Sequence, residues 1–104
     1  MQEFENVELK LRGKIYGSGP VQAEGTINGF PFYFRARHDT WTFAISENPE
    51  IDPVDIQIIE TGKRYGFFAE GRLGKEWEYL ASYMDSDKVT EIIKKCSKEY
   101  LTTK

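Results

Sequence analysis

The dipeptide Asn28-Gly29 constrains this 104-residue chain more than any other feature of its sequence. It lies between two runs in which apolar and polar residues alternate. Asn-Gly is the strongest short signal for a β-hairpin, because a two-residue type I′ turn needs positive φ at both positions. Pairing Ile27 with Phe30 across the turn sets the register of both strands. On one face every cross-strand pair is then apolar: Gly25 with Phe32, Ala23 with Phe34, and Val21 with Ala36.

The same register gathers polar side chains on the opposite face, since a slip of one residue would exchange the two faces. They are Gln22, Glu24, Thr26, Tyr33, Arg35 and Arg37. Tyr33, Arg35 and Arg37 follow one another at every second position, and aromatic and guanidinium groups on an open sheet can anchor an interface or stack bases. A diagonal ion pair between Glu24 and Arg35 is the structural alternative.

Alternating apolar residues predict further strands over residues 7–12, 41–45, 54–58 and 65–70, with a short helix as the alternative for the first run. Residues 76–84 favour a strand over a helix. After N-cap candidates at 85–87, helical spacing relates a last group of apolar residues: Val89, Ile92, Ile93, Cys96 and Tyr100. We expect one α+β domain over 1–104, an antiparallel meander of five or six strands with a C-terminal α-helix packed on one face.

Composition limits the class of protein. The 2 Trp, 6 Tyr and 7 Phe residues supply a core without disulfides or metal, and the single Cys96 fits a reducing compartment. The first residues are acidic where a secretory signal would be basic, and no apolar run is long enough to span a membrane. A net charge of −3 argues against general binding of duplex nucleic acid. We therefore expect a soluble cytoplasmic protein.

Charge is unevenly distributed along the chain. Residues 47–60 contain five acids and no basic residue, whereas residues 88–104 contain five lysines. Asp52 and Asp55 in the acidic segment are candidate binding residues, although the segment lacks the ligand spacing of an EF-hand. No cluster of Cys and His fits a zinc site, and the glycines at 62–66 and 71–75 lack Walker A spacing, so we expect no metal and no cofactor.

Catalytic chemistry has few candidates. The chain has one histidine, His38, in a predicted turn, and one cysteine, Cys96, on the apolar stripe of the predicted helix. A Cys-His pair would need these two elements to meet, whereas a cysteine at a core position usually acts as a small hydrophobe. An enzyme using either residue is the least favoured of three hypotheses.

The segment 31–37, followed by Trp41 and Phe43, and Tyr83-Met84 ahead of a helix carrying Cys96 and Tyr100, resembles small uncharacterised bacterial proteins. The resemblance implies a compact domain encoded by a bacterium or phage, and it transfers no activity. Two function hypotheses precede the enzyme. The first is a non-enzymatic module that binds a protein partner or a second copy of itself. It would use the sheet face that carries Tyr33, Arg35 and Arg37, the acidic segment 47–60, or both. The alternative is a binder of single-stranded nucleic acid or nucleotides through the same face.

Overall fold

The computed structural model describes residues 2–17, 21–37, 40–56, 66–72 and 86–102. Its described strands form a six-stranded antiparallel sheet in which each strand pairs with the next along the chain. The strands are β1 (Gln2–Asn6), β2 (Leu11–Tyr16), β3 (Val21–Ile27), β4 (Phe30–Arg37), β5 (Thr40–Ser46) and β6 (Gly66–Arg72). Helix α1 (Ser86–Thr102) follows them and packs against the sheet. The expected α+β meander is confirmed.

The hairpin of β3 and β4 has the predicted turn and register. Asn28 and Gly29 have φ angles of 51° and 86°, the positive values that a type I′ turn requires. Ile27 pairs with Phe30, and the ladder continues to Val21 opposite Ala36. The apolar and polar faces of this hairpin are therefore those that the alternation predicts.

Helix α1 covers the apolar face of the sheet, which we call the core face. All five residues of its predicted stripe are buried: Val89, Ile92, Ile93, Cys96 and Tyr100. They pack with the buried rings of Phe32, Phe34 and Phe43, and the ring of Tyr100 lies edge-on to Phe67 with centroids 5.7 Å apart. Burial of this aromatic surface is the main favourable contribution to the free energy of folding. The core face is therefore covered by packing.

Two glycines allow close packing in the middle of the sheet. Gly13 on β2 pairs with Gly25 on β3. A Cβ added at Gly25 would lie 2.0 Å from the carbonyl oxygen of Arg12, and one at Gly13 would lie 2.9 Å from Cζ of Phe32. The missing side chains therefore let two strands and a core ring approach one another.

The prediction of a strand over residues 7–12 is wrong for its first part. Residues 7–10 form the turn between β1 and β2. Only the last two residues of the predicted strand, 11–12, belong to β2. The side chain of Asn6 accepts a hydrogen bond from the Leu9 amide at 3.0 Å, and the Lys10 amide donates to the Val7 carbonyl at 3.1 Å. Lys10 has a φ of 53°. Local hydrogen bonding of the Asn6 side chain thus favours a turn over the strand that the alternation predicts.

The prediction of a strand beginning at Val54 is also wrong. Pro53–Asp55 is a short 3₁₀ helix, because the Asp52 carboxylate accepts from the Val54 amide at 2.9 Å and proline is favoured at the first helical position. Residues 57–58 of that prediction, residues 76–84, His38 and Asp39 lie outside the described residues. Within the described part of the chain, no helix combines the length and apolar character that a bilayer crossing needs.

Alanine substitutions at two glycines should separate backbone strain from steric overlap. Gly29→Ala places a Cβ in open space at a φ of 86°, so its cost is the left-handed backbone alone, about 1–2 kcal/mol. Gly25→Ala drives a Cβ into the backbone of β2, and we expect a loss of about 3 kcal/mol or more. Urea unfolding of both variants measures the difference. An equal or smaller loss at Gly25 would contradict the close approach of β2 and β3.

Candidate functional site

The sheet face opposite α1, which we call the outer face, carries polar and charged side chains. Directly opposed residues of neighbouring strands share a face, so the ladder places Glu3, Lys14, Glu24 and Tyr33 in one row across four strands. Tyr16, Gln22 and Arg35 form the next row. Because α1 occupies the core face, the outer face is the side of the sheet on which a binding site can lie.

A concavity of about 950 Å³ lies on residues of β1 to β4, and Asp52, Pro53 and Val54 contribute to its lining. We call it the outer-face groove. Its charged lining residues are the carboxylates Glu3, Glu5, Glu24 and Asp52 and the cations Arg12 and Lys14. Four negative charges against two positive charges leave the groove with a net charge of −2. Tyr16 and Tyr33 are its half-buried tyrosines.

Tyr33 is held in place within the groove. Its hydroxyl donates a hydrogen bond to Oε1 of Gln22 at 2.6 Å. Burial raises the pKa of Tyr33, and the charge of Glu24 raises it further while Arg35 lowers it. Burial also raises the pKa of Tyr16, with Glu24 and Tyr33 adding to the effect. Both phenols are thus neutral near pH 7 and lie within electrostatic range of the Glu24 carboxylate.

Of the three binding residues that the sequence predicts on β4, only one lines the groove. Tyr33 lines it, whereas Arg35 and Arg37 are exposed on the same face outside its lining. The alternative role for Arg35 does not hold: Glu24 and Arg35, both within described strands, make no ion pair within 4.0 Å. Arg35 and Arg37 therefore remain available at the surface beside the groove.

Of the two acidic residues that the sequence predicts as binding residues, Asp52 and Asp55, only one lines the groove. Asp52 lines the groove and Asp55 does not, although both are exposed. The hydroxyl of Ser46, at the end of β5, shares its one hydrogen between the carbonyl oxygens of Asn48 at 2.9 Å and Ile51 at 2.5 Å, and its oxygen accepts from the Asn48 amide at 3.3 Å. These bonds hold the segment that carries Asp52. Among the described residues no group of three or more His, Cys, Asp or Glu side chains could hold a metal ion.

Several groove residues escaped sequence reasoning. They are Glu3, Glu5, Arg12, Lys14 and Tyr16, all on β1 and β2. Alternation predicts a strand where residues 7–10 form a turn, so it does not predict the first hairpin or the outward side chains of β1 and β2. The available signal was the alternation of residues 2–6, with glutamates on both sides of Phe4.

Cys96 lies in the core and does not line the groove. Its side chain is 3% exposed, and burial raises the pKa of the thiol to about 12, with Glu99 raising it and Lys95 lowering it. A neutral buried thiol is a poor nucleophile. His38 lies outside the described residues, so the pairing of these two side chains stays untested.

Comparisons with known proteins identify no relative of this chain. No protein-family model, curated protein or solved structure matches the chain.

The hydrogen bond between Tyr33 and Gln22 should be measurable as a coupling. Tyr33→Phe removes the donor, and we expect the free energy of unfolding to fall by about 1 kcal/mol. In a Gln22→Ala background the same substitution should cost less, because the acceptor is already gone. Urea unfolding of the four proteins completes the cycle. A coupling energy of zero would show that this contact does not position Tyr33.

The thiol of Cys96 should resist alkylation in the folded protein. Iodoacetamide at mildly alkaline pH should label the urea-unfolded chain and leave the folded chain unmodified. Since folding raises the thiol pKa from 9.0 to about 12, the protonated form is favoured in the folded state. Its contribution to stability is present below pH 9.0 and is lost as the pH rises towards 12.

The stability difference between the natural chain and Cys96→Ala should therefore shrink over that alkaline range. Cys96→Ala is the control for this effect, because the tyrosines that also titrate there are common to both proteins. Rapid labelling of the folded chain would contradict the burial of this thiol.

Proposed function

We propose that this protein is a non-enzymatic module that binds another protein through the outer-face groove. The proposal rests on one observation above all, the concavity of about 950 Å³ in which half-buried tyrosines lie among charged side chains, most of them exposed. Tyrosines surrounded by polar groups are typical of protein interfaces. Pockets for small molecules have few polar groups in their lining, whereas six charged side chains line this groove.

The charge of the groove favours a protein over a nucleic acid. Phosphate backbones are bound by clustered Lys and Arg. Here the carboxylates of Glu3, Glu5, Glu24 and Asp52 outnumber the two cations, Arg12 and Lys14. A single strand laid along this surface would meet a net negative charge. Tyr33 and Arg35 could still stack bases, so nucleic acid is the outcome that the experiment must separate.

Burial of Cys96 supports a binding module rather than an enzyme, since it removes the chain's one thiol from chemistry. A single cysteine also suits a reducing compartment, so we place the module in the cytoplasm of its host.

Two matched arginine substitutions test the proposal. Thr26 and Thr42 are both half-buried and both on the outer face, but only Thr26 lines the groove. Thr26→Arg obstructs the groove, whereas Thr42→Arg adds the same side chain on β5. The tagged natural chain and both variants are used to capture partners from lysate of the host, and recovered protein and nucleic acid are both identified.

We expect a protein that the natural chain and Thr42→Arg capture and that Thr26→Arg loses. Equal capture by all three proteins would place binding elsewhere on the molecule. Recovery of nucleic acid, lost with Thr26→Arg and falling steeply with salt, would replace the proposed partner class.

A further inference from the structure

The outer face carries two patches of opposite charge. The first is the outer-face groove, with its net charge of −2 from four carboxylates and two cations. The second is formed by the exposed side chains of Arg35 and Arg37, which we call the arginine patch. Glu70 and Arg72 on β6 lie in the same two rows as the patch, opposite Thr42 and Thr40 respectively. The charges of Glu70 and Arg72 cancel, so these two residues leave the net positive charge of the arginine patch unchanged.

The register separates the two patches along a diagonal of the face. The groove lies on β1 to β4, and Pro31 and Tyr33 are the residues of β4 that it uses on the outer face. The arginine patch occupies the last part of β4, where Arg35 and Arg37 pair with Thr42 and Thr40 of β5. Tyr33 therefore lies between the most distant groove residues and the patch.

The patches do not neutralise each other within one molecule. Glu24 and Arg35 are diagonal neighbours on β3 and β4, and these two described residues form no ion pair within 4.0 Å. Arg35 affects the pKa of Tyr33 through its charge but does not line the groove. The carboxylates of the groove and the guanidinium groups beside it are thus complementary surfaces that one chain leaves apart.

We propose that the groove receives the arginine patch of a second copy of this chain. A two-fold axis lying in the interface near Tyr33, perpendicular to the line that joins the patches, brings each groove onto the other copy's arginines. The contact then forms twice, as in any isologous dimer. This inference rests on the proposed function, because it names the protein that occupies the same groove.

The side chains suit this contact chemically. Arginine presents a planar set of donors that binds carboxylates and stacks on aromatic rings. Glu24 supplies a carboxylate near both tyrosines. The hydroxyl hydrogen of Tyr33 is already donated to Gln22, so its oxygen is left to accept. An incoming guanidinium would therefore meet acceptors and ring faces together.

Charge reversal tests the dimer by sedimentation equilibrium. The first variant is Arg35→Glu/Arg37→Glu, and the second is Glu3→Arg/Glu24→Arg, all at exposed positions. Matched controls reverse exposed charges of α1, with Lys95→Glu/Lys98→Glu for the first and Glu91→Arg/Glu99→Arg for the second. We expect the natural chain and both controls to dimerise, and each outer-face variant to raise the dissociation constant at least about tenfold.

An equimolar mixture of the two outer-face variants provides the decisive measurement. Each interface in the mixed dimer joins a reversed groove to a reversed patch, or a natural groove to a natural patch, so dimerisation should return. A natural chain that stays monomeric, a dimer that tolerates either reversal, or a mixture that stays monomeric would overturn the inference.

Failure of the dimer and failure of the proposed function give different results. If the natural chain is monomeric but still captures a different protein that Thr26→Arg loses, the groove binds protein and only the second copy is excluded. If neither dimer nor groove-dependent capture is found, both proposals fail.

Discussion

The ladder between β3 and β4 is the constraint on which the rest of the structure depends. Its register, set at Asn28 and Gly29, sends one set of side chains into the core and the other to the outer face. The Asn28 amide also donates to the Lys10 carbonyl at 2.9 Å, which joins this turn to the one between β1 and β2. A shift by one residue would bury the arginines and expose the phenylalanines. The fold would then lose the free energy of apolar burial and would place unpaired charges in the core.

Sequence reasoning succeeded where one local period controls the structure. Alternation and a turn signal were enough for the central hairpin, and helical spacing was enough for the stripe around Ile93. It failed at residues 7–10 and 53–55, where an Asn6 or Asp52 side chain bonds to a nearby amide and outweighs the period. The groove was beyond reach for another reason, since it joins strands to a loop distant in sequence. The sequence predicts Tyr33 and Asp52 as separate candidates, and only the fold brings them into the lining of one groove.

The two sides of the sheet have separate physical roles. The core face obtains stability from rings packed beneath α1, and it includes Cys96, whose burial makes it a packing residue. The outer face contributes less to stability, because exposed charges interact weakly across water. Charges there are consequently better suited to recognition, where their placement selects a partner and its orientation. Both proposals follow from this division, as each needs a face whose side chains the core does not require.

The hydrogen bonds of Ser46 have a consequence for how such a surface can change over evolutionary time. They attach the segment bearing Asp52 to the sheet through its backbone carbonyls, at Asn48 and Ile51, rather than through the side chains of those residues. The main-chain carbonyl group is present in every amino acid, proline included. Sequence drift in this loop can therefore alter the shape and charge of one groove wall while the floor, built from strands, stays as it is. Descendants of one scaffold could acquire new recognition properties without rebuilding the core.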